Sequence, residues 1–253
     1  MKIKNFFMDF ANSFKPKLIW LYIIIFDLFF YGVSVFAVKL FGSFLTNKSN
    51  TFNLPAATDL TTLPAAELEM LANQLQNLFI SLVVSLIILV IIILAAWTLT
   101  RGFIYSLLLK KKFTKKVFGK FILLNLFLSA VITVILVFFI SIGLLVKDAI
   151  QSYYFVFYAV LLVISYYLAL NYIFFTKKNV IFESIGKTLT TGTKNIPKLF
   201  FPCLLILIVS FIVQRIHLLI SVQAAPILSL IIFTLFMAWA RSYFVKEAEK
   251  IKN

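Results

Sequence analysis

Arg101–Lys120, RGFIYSLLLKKKFTKKVFGK, carries seven basic residues (Arg101, Lys110, Lys111, Lys112, Lys115, Lys116 and Lys120) and no acid. On either side lie Leu78–Thr100 and Phe121–Val146, runs long and apolar enough to cross a bilayer. A basic cluster between two spans resists translocation and stays on the cytoplasmic side. With this segment inside, every other span takes its direction from it.

Working outward, six spans are predicted at about 18–42, 78–100, 121–146, 152–175, 199–220 and 227–244, with an outer loop at 43–77. The 253 residues read as a single membrane domain, all-α and polytopic, with both termini inside. The composition agrees. The chain is 62% hydrophobic, with a mean hydropathy of +1.05, more apolar surface than a soluble domain of this length can bury. With the amino terminus inside, the inner segments hold four, seven, five and four basic residues, twenty of the 24 in the chain. All three tryptophans fall toward inner ends, where their amphipathic rings suit the interface. The net charge of +15 would also fit nucleic-acid binding. The basic residues flank apolar spans, however, so topology accounts for them and no nucleic-acid partner is expected.

Two stretches are predicted as amphipathic helices on the inner face. In Met1–Lys17, Ile3, Phe6, Phe7, Phe10 and Phe14 recur at helical spacing, while Lys4, Asn5, Asp9, Ser13 and Lys15 fall largely elsewhere. In Thr176–Lys198, Ile181, Ile185, Thr188, Leu189 and Gly192 share a face. The lysines of these segments and of the central cluster suit anionic lipid headgroups: Lys110, Lys111, Lys112, Lys115, Lys116, Lys187 and Lys194 are the candidate contacts. After Arg101 the second span's helix is expected to bend onto the membrane surface. In the outer loop, Ser43–Leu63 reads as irregular. Pro64–Asn77 reads as the early start of the second span's helix, with Thr62 as N-cap. Asn47-Lys48-Ser49 matches a glycosylation acceptor.

Short internal matches divide the chain into three hairpins. Pro16-Lys17-Leu18-Ile19 and Pro197-Lys198-Leu199-Phe200 both lead into outgoing spans, and Ala96-Trp97 and Ala238-Trp239 both close returning ones. Lys, Ile, Phe and Asn, residues of AT-rich codons, are well represented, which points to an AT-rich prokaryote and the cell membrane.

No enzyme constellation is present: no Walker loop, dinucleotide glycine pattern, HExxH or nucleophile elbow. No catalytic residue, metal ligand set or cofactor is expected. His217 stands alone, and Cys203, the one cysteine, can form no internal disulfide. Asp27 is the one acid well inside a span, about 13 Å from the inner end at 1.5 Å per residue. Tyr166 and Tyr167 fall at similar depth in the fourth span and complete a candidate intramembrane polar site. An intramembrane carboxylate is a functional candidate by default, as a proton or cation carrier. The other reading is structural: a carboxylate bonded to Tyr or Asn across helices, which Asn could replace without loss of stability.

Val180–Phe200, VIFESIGKTLTTGTKNIPKLF, has an apolar step, a Glu, a small amphipathic helix and a basic residue before a span: Ile181, Glu183, Ile185–Leu189, then Lys194 or Lys198. In this it resembles a large group of uncharacterised six-helix bacterial and archaeal membrane proteins. That group is similar to the membrane domain attached to some glycerophosphodiester phosphodiesterases. The resemblance implies a six-helix membrane domain and no phosphodiesterase activity, because the soluble catalytic domain with its acidic metal site has no counterpart here. The expected function is non-enzymatic: an integral membrane protein that organises or regulates membrane or cytoplasmic protein partners, or lipid, at the cytoplasmic face. The alternative is a small-molecule or ion transporter using Asp27.

Overall fold

A computed structural model describes residues 10–15, 17–50, 64–145, 150–223 and 226–251. Seven long helices follow one another: α1 (Leu18–Asn50), α2 (Ala65–Leu108), α3 (Lys115–Leu145), α4 (Ile150–Lys178), α5 (Ile181–Lys194), α6 (Ile196–Gln223) and α7 (Pro226–Glu249). No strand occurs among the described residues. All but α5 are long and apolar enough to cross a membrane. The protein is therefore a multi-pass, all-helical membrane protein. The choice of helix is forced: in hydrocarbon each backbone N–H and C=O must find its partner within the segment.

Three boundaries differ from the sequence reading. α1 continues through 43–50, a stretch expected to be irregular, and Thr46 Oγ1 bonds back to the Gly42 carbonyl at 3.0 Å. α2 continues as one helix past Arg101 to Leu108, beyond the expected end of the span at Thr100. It stops in a Schellman turn: Lys111 N–H donates to Ser106 O at 2.8 Å and Lys110 N–H to Leu107 O at 3.2 Å. The turn places Lys110 at φ 54, a left-handed conformation that destabilises a non-glycine residue by about 1 kcal/mol. α6 and α7 are separated only by 224–225. The expected start of the second helix stands, at Ala65, with the Pro64 carbonyl accepting from Leu68 N–H; Thr62 lies outside the described residues.

α5 is held at both ends. Asn179, at φ 56, terminates α4, and its carbonyl accepts a bond from Lys120 Nζ at 3.0 Å. Extended Val180 then starts α5. Asn195 ends α5 and its carbonyl begins α6, accepting from Lys198 and Leu199 N–H. Contacts pair Asn171 with Ser184, and Tyr166 and Tyr167 with Gly192 and Thr193, so α5 doubles back alongside α4.

Two compact units divide the chain, one of Met1–Leu28 with Thr98–Asn253 and one of Phe29–Trp97. The core of the first is aromatic and includes Trp20, Ile23, Ile104, Phe236, Trp239 and Tyr243. A second group joins α3 to α4, with Phe121 against Tyr172 and Phe175, each at 5.1 Å between ring centroids. In the other unit Phe30 packs edge-on against Trp97 at 5.3 Å, and Ala37 and Ala96 are buried. None of the most apolar stretch of α2 is buried inside the protein, as befits a helix that is hydrophobic all round and faces lipid.

Candidate functional site

Asp27 is fully buried, on the α1 face that also carries Trp20 and Ile23. The spacing i, i+3, i+7 puts these three on one stripe. Its carboxylate is clasped by two arginines. Arg101 Nη1 of α2 donates to Oδ1 at 2.7 Å, and Arg241 Nη1 of α7 donates to Oδ2 at 2.5 Å. Arg101 is also buried, and Arg241 keeps about a tenth of its side chain exposed. Three helices thus meet on one carboxylate, and the cluster holds two positive charges against one negative.

Close by, a neutral set ties α2, α3 and α4. Asn125 Nδ2 donates to Thr98 Oγ1 at 3.0 Å, and the Tyr172 hydroxyl donates to Asn125 Oδ1 at 2.7 Å. The Tyr105 ring, one turn past Arg101, stands edge-on to Tyr172 at 5.3 Å. All these groups are buried. The arrangement satisfies polar atoms across helices, the main directional glue available in a membrane.

The predicted candidates are redistributed. Asp27 is bonded to arginines and not to Tyr or Asn. Tyr166 and Tyr167 serve α5 instead: the Tyr166 hydroxyl donates to Gly192 O, and the Tyr167 hydroxyl bonds Thr193 Oγ1, each at 3.0 Å. Arg101 and Arg241, two of the twenty inner charges, are not surface topology signals but interior ligands of a carboxylate. The missed signal was residue type. The chain has 24 basic residues of which only three are arginine, and two of those three are the Asp27 partners. A planar, weakly hydrated guanidinium suits a buried ion pair, whereas Lys suits a wet surface.

Lys110, Lys111, Lys112, Lys115 and Lys116 are exposed on the α2–α3 turn. Lys194 is exposed and Lys187 half-buried on α5, where Glu183 sits 4.0 Å from Lys187 and 3.1 Å from Lys178. α5 has three faces. Ser184, Thr188 and Gly192 dock on α4; a Cβ at Gly192 would lie 3.0 Å from the Tyr167 ring. Phe182 and Leu189 project outward, and Glu183, Lys194 and Thr190 form the polar side. The docked stripe is thus the small-residue one, and of the predicted apolar face Thr188 and Gly192 go inward while Leu189 goes outward. In the amino-terminal segment, residues 1–9 lie outside the described set. Phe14 stacks on Trp239 at 4.6 Å, and Phe10 packs edge-on against Trp239 and Tyr243. Ser13, expected on the polar side, is buried and accepts the Trp239 Nε1 bond at 2.9 Å. This part of the segment packs on protein.

No family model, curated protein or solved structure matches the chain.

Proposed function

We propose that the protein is a non-enzymatic integral membrane protein of the cell membrane, with both termini in the cytoplasm, that organises or regulates lipid or protein partners at its basic, cytoplasmic face. The observation that carries this reading is the state of Asp27. Its two carboxylate oxygens are each taken by a guanidinium, and Asp27 and Arg101 are buried. A carrier carboxylate must exchange its proton or cation during a cycle, and both oxygens of this one are already engaged by the side chains of two other helices. It acts as a clamp on α1, α2 and α7. Lys110, Lys111, Lys112, Lys115 and Lys116, in contrast, are exposed at the surface, where each near an anionic leaflet contributes about 1 kcal/mol. Kinship with the six-helix prokaryotic group is part of the same proposal: Ile181, Glu183 and Lys194 of the resembling stretch lie on α5, and Lys198 opens α6.

Two measurements test it. Reporter fusions after Lys116, after Lys187 and at the carboxyl terminus should read cytoplasmic, and one after Thr58 external; an external signal at Lys187 breaks the orientation. Purified protein in liposomes should show no proton- or sodium-driven uptake. A clear ion-coupled flux from folded protein overturns the scaffold reading in favour of transport.

A further inference from the structure

The α2–α3 turn is a built surface and not a loose basic tail. Phe113 lies in its middle, between Lys110-Lys111-Lys112 and Lys115-Lys116. Its ring contacts Phe103 at 4.7 Å and Phe118 at 6.1 Å between centroids, so it is gripped by the helix on either side of the turn. The ring also occupies the space over Gly102, where any Cβ would collide with it. Glycine at 102 is therefore the residue that lets the ring seat. On one side of Phe113 the Schellman turn fixes Lys110 and Lys111. On the other, Thr114 opens α3, its Oγ1 accepting from Val117 N–H and its carbonyl from Phe118 N–H. Five lysines leave this pinned frame, all exposed, and none pairs with an acid among the described residues. Like charges at such spacing repel one another, and the frame fixes the backbone positions from which they leave.

We propose that the turn is a preorganised binding site for the phosphate of an anionic phospholipid headgroup. A lipid is the occupant because the frame is rooted at the end of one span and the start of the next, with Phe103 exposed beside it. The frame adds rigidity to charge. A phosphate then meets lysines whose backbone anchors are already fixed, and less ordering remains to be done on binding. The proposal deepens the reading of a lipid-organising basic face and rests on it. Charge attraction alone would serve that reading; a site additionally requires the frame.

The test uses the full chain in mild detergent, titrated with short-chain phosphatidic acid, with phosphatidylcholine of the same chains and with inorganic pyrophosphate, followed by calorimetry. Phosphatidic acid should bind and phosphatidylcholine should not. The triple variant Lys110→Gln/Lys111→Gln/Lys112→Gln should weaken binding by roughly 100-fold. Phe113→Ala and Gly102→Ala keep every charge, and each should weaken it by about tenfold, the order expected when side chains must be ordered on binding; Phe113→Leu should restore part. Helicity and thermal melting of each variant, measured alongside, separate lost binding from lost fold. If folded Phe113→Ala and Gly102→Ala bind like the parent, the site is overturned, and only diffuse attraction remains for the scaffold reading. If pyrophosphate binds as tightly as phosphatidic acid, the assignment to a lipid is overturned. Ion-coupled flux, not lipid titration, decides the scaffold reading itself.

Discussion

Phe121 and Phe138 lie on the same helix, α3, in opposite surroundings. Phe121 is fully buried between Tyr172 and Phe175, whereas Phe138 is 61% exposed and its neighbour in the next turn back, Val134, is 70% exposed. α4 and α7 repeat the contrast. Tyr172, Phe175, Trp239 and Tyr243 are buried near the basic ends of their helices, while Tyr158, Val163, Leu228 and Ile231 are exposed toward the other. The buried end also holds Asp27, Arg101, Asn125, Asn171, Ser184 and Thr188. The difference follows from the solvent. Lipid is as apolar as a leucine side chain, so burying one helix's leucine against another gains little there. Helices are held where polar groups have no alternative partner and where aromatic rings interlock. The protein concentrates its specific contacts at one end and leaves the remaining surface to hydrocarbon.

The largest effect should come from Asp27→Asn. Removing the carboxylate leaves two buried guanidinium groups facing each other, and breaking a buried pair this way costs about 3–5 kcal/mol. Thermal unfolding in detergent should fall steeply, and an unchanged melting temperature would refute the clamp. Read from sequence alone, with Tyr or Asn as partners, the same change was expected to be harmless, so the structure reverses the sign. Replacing all three members with apolar residues of similar volume should recover much of the loss.

Next comes the pair on α3. Phe121→Ala should destabilise by about 3–5 kcal/mol, as emptying a packed site does. Phe138→Ala should change stability by less than about 0.5 kcal/mol. Equal losses in the same unfolding assay would erase the contrast between the two ends.

A smaller loss is expected from Asn125→Ala, which removes the links to Thr98 and Tyr172. Interhelical bonds of this kind contribute about 0.6 kcal/mol each, up to roughly 1.7. The double variant Asn125→Ala/Tyr172→Phe should lose less than the sum of its parts, and strict additivity would show that the bond contributes nothing.

The smallest of the four effects on folding is local. Gly192→Ala sets a methyl group against the Tyr167 ring and Leu170, which should cost about 1 kcal/mol. Proteolysis at the α4–α5 link should rise while the melting temperature of the Asp27 clamp stays nearly constant. A rise without the fall in global stability would place α5 as a separately opening element.

Number, approximate position and helical character of the spans were all legible in the chain itself. Each depends on a local sum: some twenty apolar side chains in succession, and a backbone with no water to bond. α5 was legible from another local pattern, since Ile181, Ile185, Thr188, Leu189 and Gly192 recur at helical spacing. What the chain could not disclose was the partner of Asp27. Arg101 is 74 residues away and Arg241 214. Whether they meet the carboxylate depends on how far each helix continues, how it is rotated and at what depth it stands against its neighbours. A boundary error of a few residues at Arg101 was enough to turn a buried ligand into an apparent surface charge. The tertiary structure decided that point because the energy of a buried charge belongs to the pair that forms it, and not to either sequence position alone.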